Sequence, residues 1–204
     1  MNTAAITDEL IGAGRLLHQR GWVPATGGNF SARIASDRFL MTASGCHKGE
    51  LTHSDFLVVD ADGNPLEAGR RASAETLLHC AVYRACGNAG AVLHTHSVPA
   101  TLLSRTHDEV VLDNYELLKI LEEITTHEAT VSIPVFENDQ NISRLAAVVD
   151  SALDKHRGRQ GFLIRGHGLY AWGSSVAEAR YRTEALEFLF DCTWQSATGR
   201  HTRT

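Results

Sequence analysis

Long apolar runs are missing from this sequence. Nowhere does it reach the roughly 18 consecutive apolar residues that span a bilayer, and Met1-Asn2-Thr3 leads into a polar and apolar mix without the basic start and hydrophobic core of a signal peptide. No membrane partner is expected, and the chain reads as cytoplasmic. Basic blocks are missing too: with a net charge of -5 and no Lys/Arg stripe, no nucleic-acid partner is expected and a small-molecule substrate is the better reading. Cys46, Cys80, Cys86 and Cys192 form no CxxC pair and no disulfide-framework spacing, which fits reduced thiols. Neither GxxxxGK(S/T) nor a GxGxxG opening a helix occurs, so the nucleotide-binding fingerprints are absent. There is no repeat, low-complexity tract or linker. A chain of 204 residues that is 43% hydrophobic supports one sizeable core, so residues 1–204 are read as a single domain.

What the sequence does contain is Ala91-Val92-Leu93-His94-Thr95-His96-Ser97, an apolar run ending in two histidines one residue apart. Side chains alternate along a strand, so His94 and His96 point the same way and present two imidazoles to one ion. A third histidine, His167, lies between Gly166 and Gly168, where the backbone turns tightly and approaches a ligand closely. Three histidines with an open fourth position make a catalytic zinc site. Satisfied core histidines are the rival reading of a bare HxH, and the glycine-flanked third histidine weighs against it.

Around these lie alternating elements. Thr7 is expected to cap a helix running to about Gly21 with Leu10, Ile11, Ala13, Leu16 and Leu17 inward. Strands are expected at residues 30–34, 39–42 and 56–60, with turns at Ser36-Asp37 and 61–65. Ser73 is expected to cap a helix with Glu75 in its first turn, and Pro99 to start a short helix through Leu103. After a strand at 109–112, Leu117, Leu118, Leu121 and Ile124 predict a helix over 115–126. Glu116 lies in its first turn, off the core face, where dipole complementation is the bland reading. Pro134 suggests an edge position for the strand at 129–136. A helix with Ile142, Leu145, Ala146, Val149 and Leu153 inward, strands at 161–165 and 169–172, and a final helix opened by a Ser175/Glu178 capping box complete the pattern, before a polar, loose tail at 198–204. The early part is hairpin-rich, so the fold expected is a mixed sheet with helices on both faces.

Two small-residue loops carry Gly28, Asn29, Ser44 and Gly45, which offer backbone N–H groups, an amide and a hydroxyl with little bulk, as a phosphate oxygen requires. Ordinary hairpin loops would look the same.

Taken together, Gly28-Asn29, Ser44-Gly45, Ser73-Ala74-Glu75, His94-Thr95-His96-Ser97 and Gly166-His167-Gly168 resemble the class II aldolase/adducin family over nearly the whole chain. Lys48 after Ser44-Gly45, Asn114-Tyr115-Glu116 and Ile133-Pro134 are similar to the dehydratases of that family, and the tail 199–204 lacks the tyrosine used by its sugar-phosphate aldolases. The resemblance implies a three-layer α/β/α fold with a central mixed, largely antiparallel sheet. It also implies one Zn²⁺ per subunit on His94, His96 and His167, and a homotetramer with active sites at subunit interfaces. The implied substrate is a small phosphorylated keto-sugar, losing water across C3 and C4. Two carboxylates are candidates for the proton transfer: Glu116 first, with Glu75 assisting or orienting the substrate. The phosphate is expected among Gly28, Asn29, Ser44, Gly45 and Ser73, with Lys48 a weaker candidate. Cys46 and His47 remain unassigned. The same site in an aldolase or epimerase would cleave or invert a sugar phosphate, and an adducin-like assembly module would be expected to have lost the histidines. Imidazole also serves Fe²⁺ and Mn²⁺, so residue type alone does not select zinc.

Overall fold

Alternating apolar residues in the first third of the chain build a meander that grows into one sheet. The computed structural model describes residues 2–155 and 161–199. Its strands are Asn29–Ala35 (β1), Arg38–Thr42 (β2), Phe56–Asp60 (β3), Ala91–Thr95 (β4), Glu109–Asp113 (β5), Thr130–Phe136 (β6), Gly161–Ile164 (β7) and Gly168–Gly173 (β8). They lie in the order β3-β2-β1-β4-β8-β7-β6-β5. Every neighbouring pair is antiparallel except β6 and β7, so the sheet is mixed and largely antiparallel, as expected.

Among the described residues five α-helices cover it: Thr3–Gln19 (α1), Thr76–Ala85 (α2), Val98–Thr106 (α3), Ile142–Lys155 (α4) and Val176–Thr198 (α5). Strand alternation sorts them into layers. Met41, Leu57, Val92, Phe162 and Tyr170 point to α2 and α4. Phe30, Ala32, Ala91 and Leu93 point the other way, to α1 and the start of α5, while Leu163, Leu169 and Ala171 meet α3 and α5. Burial of a leucine such as Leu93 contributes about 2 kcal/mol, so two filled faces dominate the favourable terms. The result is a three-layer α/β/α architecture.

Several local expectations are corrected. Asn2, not Thr7, caps α1, and the Thr7 hydroxyl is buried and donates to the Thr3 carbonyl. The helix expected over 115–126 is only a 3-10 turn, Glu116–Ile120. Asn114 and Glu123 take positive φ, and β-branched Ile120, Ile124, Thr125 and Thr126 are poor helix formers. Leu118 and Leu121, three apart, still reach the core, which a 3-10 turn permits. β6 is not an edge: it lies between β5 and β7, and β7 pairs with it only at Val135 and Phe136, past the proline. At α5 the Ser175 hydroxyl accepts from Glu178 N–H as expected, but the Glu178 carboxylate returns to Ser174 N–H rather than to Ser175. Residues 200–204 of the expected tail lie outside the described residues.

Candidate functional site

His94 ends β4 on the face that carries Val92, directly opposite Asn29 of β1 and Tyr170 of β8 in the ladder. His96 follows just beyond the strand, and His167 sits in the turn joining β7 to β8. The three imidazoles converge. His94 Nε2 is 2.8 Å from His96 Nε2 and 3.3 Å from His167 Nε2, and one ligand atom from each lies within 4.8 Å of the others.

The sheet fixes the chemistry of this cluster as well as its shape. His94 Nδ1 donates to the Leu169 carbonyl at 2.8 Å, which leaves the Nε2 lone pair for a ligand. Burial holds His94 well below the usual histidine range, and burial, with His167 and Lys48 nearby, lowers His96 to about 4. Both are neutral at pH 7, the form in which imidazole binds metal. The Tyr170 ring stacks on His94 with centroids 4.0 Å apart, adding a rigid wall.

Glu75 completes the cluster. The residues Ser73-Ala74-Glu75 form a turn before α2, which starts at Thr76 rather than at a Ser73 cap. Glu75 occupies the N-cap position without capping through its side chain; its carboxylate reaches inward instead. Oε2 lies 3.3 Å from His94 Nε2 and Oε1 lies 3.2 Å from His167 Nε2. Three imidazole nitrogens and an adjacent carboxylate are the donor set that suits a catalytic Zn²⁺.

Two glycines permit the close approach. Gly28 has φ +75, and a Cβ there would lie 2.6 Å from the His94 carbonyl. At Gly168 a Cβ would lie 1.9 Å from the Thr95 carbonyl, so β8 and the third histidine fit against β4 only without a side chain.

The expected phosphate residues line one cleft of about 370 Å³ together with Glu75, His96 and His167. Gly28, Asn29, Ser44, Gly45 and Ser73 are all in its wall. The loops are laced together by Ser44 N–H to the Arg71 carbonyl and Ser73 N–H to the Thr42 carbonyl, so Ser44 offers its hydroxyl rather than its amide. Lys48 also lines the cleft, though the residue is only 2% exposed; Nζ donates to the carbonyls of Thr26, at 2.9 Å, and Cys46, and burial lowers its pKa. Cys46 donates to Asp55 and His47 packs edge-on against His18, so neither joins the histidine cluster. Asn138, Gln140 and Ile142 line the same cleft and were not anticipated from sequence.

Glu116 is elsewhere. Its side chain is 74% exposed, its Oε1 lies 2.5 Å from Lys119 Nζ, and that lysine holds the carboxyl below its ordinary range. It lines a separate apolar recess with Tyr115, Leu117 and Phe188. A single chain therefore brings Glu75, and not Glu116, to the histidines. Beside that recess a larger cleft of about 600 Å³ exposes Val98, Ile120, Tyr181 and Phe188, with Glu187 in its wall. On the reverse face of the histidine strand Glu187 accepts from the Thr95 and Ser97 hydroxyls.

The fold and this site define a family. The model of the Class II Aldolase and Adducin N-terminal domain matches residues 8–194, and the chain belongs to that family. The methylthioribulose-1-phosphate dehydratase of Pseudomonas syringae pv. syringae is 51% identical over 194 residues, covering 94% of this chain and 95% of the relative. The enzyme of the same name from Azotobacter vinelandii is also 51% identical, over 93% of each chain. Among solved structures, L-fuculose-1-phosphate aldolase from Thermus thermophilus superposes with a TM-score of 0.78 at 29% identity, covering 95% of this chain and 96% of that one. YgbL from Klebsiella pneumoniae superposes with a TM-score of 0.82 at 25% identity, over 100% of this chain and 94% of that one.

Proposed function

We propose that this chain, acting as one catalytic domain over residues 1–204, is a hydro-lyase that converts 5-methylthioribulose 1-phosphate to 5-methylthio-2,3-dioxopentyl phosphate in methionine salvage, in the cytoplasm. The observation that carries the reading is the convergence of His94, His96 and His167 beside Glu75, in a chain half identical to dehydratases of that name along nearly its full length.

His94, His96 and His167 would hold one Zn²⁺ per subunit. Bound there, the ion would supply a Lewis acid for the negative charge that develops at the substrate C2 oxygen as the C3 proton leaves. The remaining work falls to the chain. Gly28, Asn29, Ser44, Gly45 and Ser73 hold the phosphate, with Lys48 contributing positive charge to the same cleft. Glu75 orients the hydroxyls beside the histidines and assists proton transfer. Glu116 is the main acid/base: a proton is taken from C3, the C4 hydroxyl is protonated and leaves as water, and the resulting enol tautomerises to the diketone. In a homotetramer with sites at subunit boundaries, Glu116 would serve the cleft of a neighbouring copy. Its exposure, and the exposed apolar side chains of Ile120 and Phe188 that line the same recess, support that placement.

Purified zinc-loaded protein incubated with 5-methylthioribulose 1-phosphate should yield a product lighter by one water, by mass, with the ultraviolet absorbance of a conjugated enol. A chelator should abolish the reaction and zinc restore it. Cleavage into two fragments would assign the site to aldol chemistry instead.

A further inference from the structure

Behind the cleft a line of buried hydrogen bonds runs across β1 and α2 and ends on Glu75. Tyr83 Oη is 2.8 Å from Ser31 Oγ, Ser31 Oγ is 2.7 Å from His79 Nδ1, His79 Nε2 is 2.5 Å from Asn29 Oδ1, and Asn29 Nδ2 is 2.7 Å from Glu75 Oε2. Ser31, His79 and Tyr83 are all buried, at 0%, 1% and 3% exposure, so water does not compete for these contacts.

Only one arrangement of protons satisfies the line when Glu75 is ionised. A carboxylate only accepts, so the Asn29 NH₂ faces Glu75 and its Oδ1 faces His79. His79 must then carry its proton on Nε2, which leaves Nδ1 bare to accept from the Ser31 hydroxyl. The Ser31 oxygen accepts in turn from Tyr83. Burial favours this neutral ring, pushing His79 down to about 3.

We propose that His79, bonded through Nε2 to Asn29 and through Nδ1 to the Ser31–Tyr83 hydroxyl pair, is a positioning residue that locks the Asn29 amide with its NH₂ toward Glu75 and so aims the Glu75 carboxylate at the histidine cluster. An amide has nearly the same shape either way round, so its orientation is set by its hydrogen-bond partners, here Glu75 on one side and His79 on the other. Reversed, Asn29 would set an oxygen against the carboxylate and withdraw a donor from the cleft. His79 prevents this, since its Nε2–H has no lone pair to offer an amide nitrogen. No group in the line touches the reacting atoms except through Asn29 and Glu75.

The turnover test rests on the dehydratase reading; a second readout does not. In protein labelled with ¹⁵N-histidine, nitrogen NMR of the imidazoles, assigned with His79→Gln, should show His79 as the neutral Nε2–H tautomer between pH 6 and 8. An Nδ1–H tautomer or a protonated ring would overturn the lock, whether or not the protein turns the substrate over. In kinetics, His79→Leu and Ser31→Ala should each lower kcat per bound zinc by about tenfold, the size of one hydrogen bond to a charged group. His79→Gln, whose amide can still donate to Asn29, should recover most of that loss. Equal losses in the Leu and Gln variants, or losses that track zinc content and leave kcat per zinc unchanged, would mean that His79 is only core packing. If His79→Leu fails to fold, Ser31→Ala decides the kinetic arm. Absence of any turnover by the parent protein with an Nε2–H tautomer would remove the dehydratase reading and leave the lock standing.

Discussion

Gly168 lies so close to Thr95 that an added Cβ would sit 1.9 Å from the threonine carbonyl oxygen. Backbone must move to relieve this, and what would move is the pairing of β8 with β4, on which both the third histidine and the His94 to Leu169 bond depend. Gly168→Ala should therefore cost roughly 3 kcal/mol or more in urea unfolding. Gly12→Ala, on the exposed side of α1 with open space for a Cβ, should gain about 0.5–1 kcal/mol. Equal effects from the two would remove the steric argument.

On the proposed zinc site, His94→Ala should abolish zinc binding, since it removes the nitrogen that lies within 3.3 Å of both other imidazoles and of Glu75. Glu75→Gln should keep the zinc. Metal content of the purified variants by elemental mass spectrometry checks both, and a His94→Ala protein with full zinc occupancy would move the metal away from this cluster.

Glu116→Gln should fold, retain zinc and lower kcat on the order of 10²-fold or more. If the residue serves a neighbouring copy, mixing unfolded Glu116→Gln and His94→Ala subunits and refolding them together should restore activity that neither has alone. No recovery in verified hybrids would return Glu116 to the role of a helix-turn anion paired with Lys119.

Glu187 gives stability a pH dependence of definite sign. Burial raises its pKa from 4.5 to about 7, against the opposing hydroxyls of Ser97 and Thr95. Between those two values the folded protein holds a proton that the unfolded chain has released, so stability falls as pH rises through that window and returns on acidification. At about 1.4 kcal/mol per unit, the full effect is on the order of 3 kcal/mol. Thermal unfolding of the parent and Glu187→Gln from pH 5 to 8 should show a parent-minus-variant difference that declines toward pH 8; a flat difference would mean that Glu187 is already ionised in the fold at pH 5.

Much of this arrangement was legible in the sequence because its signals are local. The apolar run at residues 56–60, followed by a turn, matches the observed limits of β3, and the HxH at the end of an apolar run marks two imidazoles that do converge, His94 on β4 and His96 just past it. The segment 115–126 was misread because leucine spacing three and four apart fits a short 3-10 turn as well as an α-helix, and two positive φ values are invisible in residue types. Pro134 suggested an edge because the sequence does not show that β7 begins pairing only beyond it. His79 and Tyr83 were passed over inside an apolar helix, yet a signal was there: four apart, they share one helical face, as Asn29 and Ser31, two apart, share one face of β1. What no local pattern carries is that those two faces meet. The expected residues at 28–29, 44–45, 73–75, 94–96 and 167 do line or border one cleft, whereas Glu116 does not reach it within a single chain.

The sheet order has a further consequence for how the site comes into being. Asn29 and Glu75 are 46 positions apart and His94 and His167 are 73 apart, and β8, the strand that follows His167, inserts between β4 and β7. Contacts so remote along the chain carry a large loop-closure cost and form slowly. A partly folded chain holding only the 94–96 pair would present two imidazoles without the third, the carboxylate or the stacked tyrosine. Tight zinc capture should therefore lag behind secondary structure in refolding followed by circular dichroism and a zinc-sensitive dye. Uptake at full affinity before the sheet closes would contradict it. An ion held by His94, His96 and His167 would then act as a selective trap for the finished topology, adding stability only to chains in which the last central strand has gone home.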